Sequence, residues 1–274
     1  RHRNRSVEGL SYGINMNGML IDKSDFLLWH SRADALRQNQ QSVSALHGNR
    51  FNLDPFIDYR GRSGDRHSLK TRFYHIRNNF YEATDKNNHS SLVYGEYKYY
   101  REFAERVKTT FGIAGTWTKI FAGLLYGDHT SLNQAVFGQA DVKLLARLKA
   151  SVGLRLERYV LDAEVEYSTP VFRAGLNYRV HDHSYLRASF GQGYRFPSVA
   201  EKYTETYVGS VRILPNTELI SERGWSAELG FKQGLKIDEW QGYLDVAAFW
   251  SEYDNMIEFA FGRYLPDSLG LGAF

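Results

Sequence analysis

Nine histidines are the first residues in this 274-residue chain that could do chemistry. His181 and His183 stand two apart in what reads as a solvated turn, and His30, His75 and His129 are scattered. That spacing gives no clustered ligand set for a metal. The carboxylates are the second candidates. Asp128–His129 and the run Asp162, Glu164, Glu166 are the residue types of acid–base pairs, but no nucleophile elbow, phosphate loop or HExxH motif accompanies them. Charged stretches of this kind are also the ordinary content of a solvated rim. Cysteine is absent, so there is no thiol nucleophile, cysteine metal site or disulfide framework. The third candidates are Tyr203, Tyr207 and Arg212, which share one long polar stretch. Tyrosine rings beside a guanidinium suit capture of an anionic, aromatic or large polar solute. The residues therefore point to binding and not to covalent chemistry. No catalytic residue, metal site or cofactor is expected.

The elements that must position these side chains are strands. Phe172, Ala174, Leu176, Tyr178 and Val180 alternate with Arg173, Gly175, Asn177 and Arg179. After a tight polar turn, Leu186, Ala188, Phe190 and Tyr194 alternate with Arg187, Ser189, Gly191, Gly193 and Arg195. Side chains alternate across a strand, so each strand has one apolar and one strongly polar face. A soluble sandwich would turn the apolar face to a core, whereas an outer-membrane barrel turns it to lipid and keeps arginine and glycine in a wet lumen. The same alternation recurs along the chain and predicts about twelve strands. Their expected spans are 6–18, 23–33, 49–60, 67–79, 90–102, 106–119, 133–145, 147–160, 169–180, 184–195, 221–234 and 239–256. The third of these is weakened by Pro55, which would remove a ladder hydrogen bond.

The connections alternate too. Short polar turns are expected near Asp22–Lys23, Gly61–Asp65, Phe103–Glu105, Ala146–Arg147, His181–His183 and Gly234–Asp238. Between them lie longer polar stretches, Ala33–Asn49, Phe80–Ser90, Tyr126–Asn133, Leu161–Ser168 and Phe196–Ile220. Short turns on one side and long loops on the other are the pattern of a membrane barrel, and a Greek-key sandwich would not keep that order. The predicted fold is all-β, a transmembrane antiparallel up-and-down β-barrel, with residues 1–274 forming one partial barrel domain.

Composition agrees. With 34 Lys and Arg against 31 Asp and Glu, the net charge is +3, which leaves no nucleic-acid footprint. Aromatics reach 15%, and tyrosine and tryptophan suit membrane–water interfaces. No run approaches 18 apolar residues, so a transmembrane helix is excluded and a barrel is not. The chain opens RHRNRS without a signal peptide and is expected to be an internal piece of a longer protein.

Three segments resemble a known family. GYRFPSVAEKY (Gly193 to Tyr203) is similar to the FRxPS-x-x-E-x-Y signature of TonB-dependent outer-membrane receptors. PNTELISERGWSAELG (Pro215 to Gly230) resembles their following PNxxL…E…W…ELG element. FGQADVKLLARLKASVGLRLERY (Phe137 to Tyr159) resembles the strand–turn–strand before them. The style, including NRSVEGLSYG near the start, is closest to receptors of Bacteroidetes.

The resemblance implies a barrel of about 22 strands with an N-terminal plug, of which this chain would hold the middle. It implies a receptor and active transporter in the bacterial outer membrane, coupled to the TonB complex through the missing plug. Its cargo would be a small molecule or metal chelate, foremost an iron–siderophore complex, with cobalamin, haem and glycans as alternatives. Haem receptors of the family place a histidine between the two main elements, and Ser198 to Leu214 has none. An accessory surface lipoprotein is among the partners the resemblance allows, alongside outer-membrane lipid. Tyr194, Arg195, Pro197, Ser198 and Glu201 would be family-motif residues. Arg173 and Arg187, with Arg179 and Arg195, would face the lumen, pairing with the wall or with the plug. The rival reading is a passive porin or structural barrel.

Overall fold

A computed structural model describes residues 2–26, 29–34, 36–39, 43–81, 83–208 and 211–258. Among them, thirteen strands form one antiparallel sheet. These are β1 (His2–Arg3), β2 (Leu10–Phe26), β3 (Val43–Arg60), β4 (Arg66–Phe80), β5 (Asn88–Phe103), β6 (Val107–Phe121), β7 (His129–Leu145), β8 (Leu148–Leu161), β9 (Glu164–Tyr167), β10 (Val171–His181), β11 (Ser184–Arg195), β14 (Glu222–Ile237) and β15 (Trp240–Asp254). A separate hairpin, β12 (Thr206–Val208) with β13 (Val211–Ile213), stands in the longest loop, after the short helix α2 (Val199–Tyr203). Another short helix, α1 (Gly123–Tyr126), joins β6 to β7. Among the described residues, no helix is long and apolar enough to cross a membrane.

The register joins the alternating strands into two faces. One row runs Leu53, Phe73, Val93, Trp117, Leu132 across β3 to β7 as directly opposed partners. The adjacent row runs Arg72, Tyr94, Thr116, Asn133, Tyr159. Farther along, Leu176 lies opposite Ala188, and Leu186 opposite Phe231. A one-residue slip would move every apolar side chain to the polar face, which is why the register is so strongly specified. The apolar side chains stay open to the surroundings: Met16 is 69% exposed and Leu176 49%. Lipid and not a protein core covers this face.

Two details show how the sheet accommodates its irregular residues. Phe111 lies opposite Gly138 and Gly112 opposite Phe137, so each ring covers the neighbouring glycine on its own face. A Cβ at Gly112 would run into the Phe137 ring. Pro55 does sit inside a strand, contrary to the sequence-based doubt. Beside it the β3–β4 ladder is interrupted. Thr71 Oγ1 donates to the Pro55 carbonyl (3.2 Å), and Arg72 makes two hydrogen bonds to Asp54 at 2.8 and 2.6 Å.

Three expectations are corrected. The strand placed at 6–18 and the first residues of the one placed at 23–33 are one strand, β2, which runs through Asp22–Lys23 and pairs with β3 as far as Phe26↔Val43; residues 27 and 28 of the second expectation lie outside the described residues. Its short turn lies instead at residues 4–9, where the Asn4 side chain accepts from the Ser6 and Val7 amides and Gly9 takes φ +81°. The long loop expected at Leu161–Ser168 is a tight turn followed by β9, with Asp162 at φ 52°. The stretch Tyr126–Asn133 is loop only to Asp128, since β7 starts at His129.

Candidate functional site

The segment Gly193 to Tyr203 closes β11 and opens the long loop. Arg195 is the last residue of β11, and Pro197 cannot continue the ladder. Ser198 then caps α2. Its hydroxyl accepts from the Glu201 amide at 3.3 Å, and Glu201 Oε2 accepts from the Ser198 amide at 2.7 Å, a reciprocal capping box. The same carboxylate receives Arg195 at 2.9 Å from both oxygens, while Arg195 Nε donates to Glu222 at 2.6 Å. Arg195 thus ties the end of β11 to the start of β14 and to the loop helix. Burial raises the Glu201 pKa, but the Ser198 amide and hydroxyl and the Arg195 charge outweigh it and hold the carboxyl below the usual glutamate range.

Tyr194 belongs to the apolar side of β11 by alternation, yet its hydroxyl donates to Glu166 at 2.7 Å. Ser221 donates to the same carboxylate oxygen. Phe196 stacks on Tyr159 with centroids 4.8 Å apart and meets Tyr194 edge-on at 4.9 Å. Several of the buried residues lie here: Val199, Ala122, Leu161, Ser168 and Ser221. The sheet has little core of its own, and this loop joint adds buried residues to those scattered along the strands.

The predicted ligand residues occupy different places. Tyr203 stacks on His129 (4.1 Å, 18°), and the His129 Nδ1 and Nε2 lie 2.7 Å from Asp162 and 2.6 Å from the Tyr126 carbonyl. Burial raises the Asp162 carboxyl, but the His129 hydrogen bond and charge and the Thr130 amide outweigh it and keep it below its usual range. Two of the acid–base candidates therefore do meet, with both ring nitrogens engaged by acceptors. Arg212 hydrogen-bonds Glu205 at 2.6 Å. Tyr207 lies opposite Arg212 in the β12–β13 hairpin. Lys202 reaches Glu164 at 3.4 Å, and the Glu205 amide donates to Leu125.

On the wall, Arg187 bonds Glu228 at 2.9 Å and Asp245 at 2.8 Å, spanning three strands. Gly230 leaves the room for this, since a Cβ there would sit 2.6 Å from Arg187 Nε. Arg155 meets Glu157 at 2.5 Å. Among the described residues, Arg173 and Arg179 have no carboxylate within ion-pair distance. Sequence reasoning singled out Glu166 only as an acid–base candidate, and missed Glu222, Ser221 and Tyr159 as partners of the motif residues. Glu222 was legible as the carboxylate of the second motif element; Ser221 and Tyr159 carry no local signal. His181 flanks the β10–β11 turn and His183 lies within it. No group of three His, Cys, Asp or Glu among the described residues could hold a metal ion.

A family model described as TonB dependent receptor-like, beta-barrel matches residues 3–270. The chain belongs to that family. TonB-dependent receptor barrels are bacterial outer-membrane proteins, and the family is one of receptors and transporters. Among solved structures the receptor barrel is similar to the FrpB iron transporter from Neisseria meningitidis, at 14% identity and TM-score 0.62, over 88% of this chain and 42% of that one. It is similar to the ferric yersiniabactin uptake receptor FyuA from Yersinia pestis, at 12% identity and TM-score 0.65, over 90% and 43%. It also resembles the siderophore receptor PirA from Pseudomonas aeruginosa, at 13% identity and TM-score 0.65, over 90% and 50%. At these identities the likeness is one of fold. The chain spans 42–50% of the length of these three proteins. No curated protein matches the sequence.

Proposed function

We propose that these residues form much of the barrel wall of an outer-membrane receptor that imports a scarce solute by TonB-dependent transport. The observation that carries this reading is the family match across 3–270, with the motif arginine Arg195 clamping β11, β14 and the loop helix at the rim. An iron–siderophore complex is the leading cargo, and the support is the iron transporter and siderophore receptors among the structures of like fold. The ligand would be met by the long loop, with Tyr203, Tyr207 and Arg212 as contact residues and the β12–β13 hairpin presenting the last two. Arg173, Arg187, Tyr194, Pro197, Ser198 and Glu201 would shape and brace that loop and the lumen below it. TonB would act through a lumen domain of the same polypeptide.

The test uses the natural full-length protein extracted from outer membranes, in a pull-down with the periplasmic domain of TonB. Binding, constitutive or increased by iron-loaded siderophore, is the expected outcome. No binding, with steady ion conductance in a planar bilayer, would make the protein an open pore.

A further inference from the structure

Every carboxylate of strands β4 to β9 stands on the lumen side of the sheet: Glu96, Glu102, Asp141, Glu157, Glu164 and Glu166. Side chains alternate along a strand and the register carries that parity across the sheet, so the lipid face of these strands holds no acid. It does hold Arg158. On β8 this arginine stands between Leu156 and Val160, with Gln134 and Tyr167 as its register partners. The flanking pairs on the same face are apolar, Leu132↔Val160 and Val160↔Val165 toward the loops and Val136↔Leu156 toward the turns. Arg72, Arg187 and Arg195 on the lumen face each meet a carboxylate. Arg158 does not: among the described residues it donates to Gln134 Oε1 at 2.9 Å and has no carboxylate within 4.0 Å. One acceptor leaves most of the five guanidinium donors to whatever covers the sheet.

Beside Arg158 the same face opens into a groove of 700 Å³. Leu69, Tyr97, Ile113, Val136 and Leu156 form its bank, and the directly opposed Gly95 and Gly115 its floor. At Gly112 the space beside a glycine is taken by the Phe137 ring, but no described side chain takes the space over this floor. A Cβ at Gly95 would meet nothing within 4 Å, and one at Gly115 only the Asn133 carbonyl at 3.8 Å. From Gly95 to Arg158 the groove crosses three strand spacings, roughly 14 Å at about 4.8 Å each. That is the form of a seat for one extended hydrocarbon chain that ends at a cation. Arg158 lies near the end of β8 at Leu161, on the long-loop side. In a barrel that side is the outer one, and the long arginine stem carries its charge toward the headgroups there.

We infer that this face binds a lipid of the outer leaflet with a net anionic, phosphate-bearing headgroup, its phosphate on Arg158 and one acyl chain along the groove. The charge selects the occupant. An arginine fork matches phosphate oxygens in bidentate geometry, and the anions that reach a lipid-covered face without acids of its own are those of headgroups. A lone charge on the lipid face destabilises a barrel, the more so the deeper it lies, and a bound phosphate removes that penalty. The inference needs the outer-membrane barrel described above, and neither its cargo nor its coupling to TonB.

The test uses the full-length receptor, stripped of lipid in detergent and titrated with lipid A or with lipid A freed of its phosphates. Native mass spectrometry counts the bound lipid, and heat-modifiable gel mobility reads the stability of the barrel. Wild type should bind lipid A and melt at a higher temperature in its presence, and should hold the dephosphorylated form about tenfold more weakly. Arg158→Gln should bind lipid A about tenfold more weakly, at the level of the dephosphorylated form. Its lipid-free barrel should be as stable as wild type or more so, because a charge has left the lipid face. Gly95→Leu/Gly115→Leu fills the groove and should weaken both lipids alike. Equal affinity of wild type for the two lipids, or full affinity for lipid A in Arg158→Gln, would overturn the inference. A dimer of the lipid-free receptor that Gly95→Leu/Gly115→Leu abolishes would overturn it too, by giving the groove to a second copy. Should the glycine variant fail to fold, Arg158→Gln against the two lipids decides alone. Either result leaves the receptor reading to be judged by its own test.

Discussion

At the residue scale, the rim depends on one carboxylate with several donors. Glu201 accepts from Ser198 through both amide and hydroxyl and from Arg195. Its folded pKa is lowered from 4.5. A carboxyl of lowered folded pKa contributes stability that is fully present above the unfolded value and is lost as pH falls through the folded one. Amide protection in α2, read at Lys202 and Thr204, should therefore hold at neutral pH and decline below about pH 4.5, the unfolded glutamate value. Glu201→Gln should reproduce the acid state at pH 7, costing about 1 kcal/mol locally, the usual worth of a helix cap. The exposed ion pair adds little to that figure. Protection that stays flat in acid and in Glu201→Gln would mean the loop helix is held by packing alone.

At the scale of elements, β10 is the cleanest test of the two faces. Leu176 shares its face with Ala150 and Ala188, and Asn177 stands between Lys149 and Arg187. Leu176→Arg places a charge in lipid near mid-bilayer and should cost about 2–4 kcal/mol. Asn177→Arg keeps its charge in the lumen. Its cost is repulsion from two cationic neighbours, of the order of 1 kcal/mol. Heat-modifiable gel mobility of the two variants in the full-length receptor reads the difference. Equal damage would mean that the faces are not as the register sets them.

At the scale of the whole molecule, the sheet follows chain order from β1 to β15, and among the described residues its first and last strands do not pair with each other. An unpaired edge cannot lie in lipid, where every backbone polar group needs a partner. Residues 1–274 expressed alone and refolded in detergent should therefore give no heat-modifiable monomer and no lumen. A monomeric, heat-modifiable product with stable single-channel conductance would show that the segment closes on itself.

What was legible in the sequence follows from the range of the forces. The division into apolar and polar faces was there because alternation is a two-residue property of the backbone, and eleven of the twelve expected strands lie within or largely within observed ones for that reason. The split of β2 at Asp22–Lys23 arose where the signal loses its meaning. Where a strand rises beyond the apolar band, both faces are wet, and polar residues there look like a turn. The motif around Arg195 was legible, but its partners were not. Arg195 meets Glu222 27 residues away, His129 meets Asp162 33 away, and Ser221 meets Glu166 55 away. Those encounters depend on the register of strands that are neighbours in space, which side-chain pattern alone does not carry. The sequence by itself determined a lipid-facing, lumen-enclosing sheet with alternating turns and loops. Only the tertiary structure decided which carboxylates neutralise which arginines, because those partners are set by the register of strands far apart in the chain.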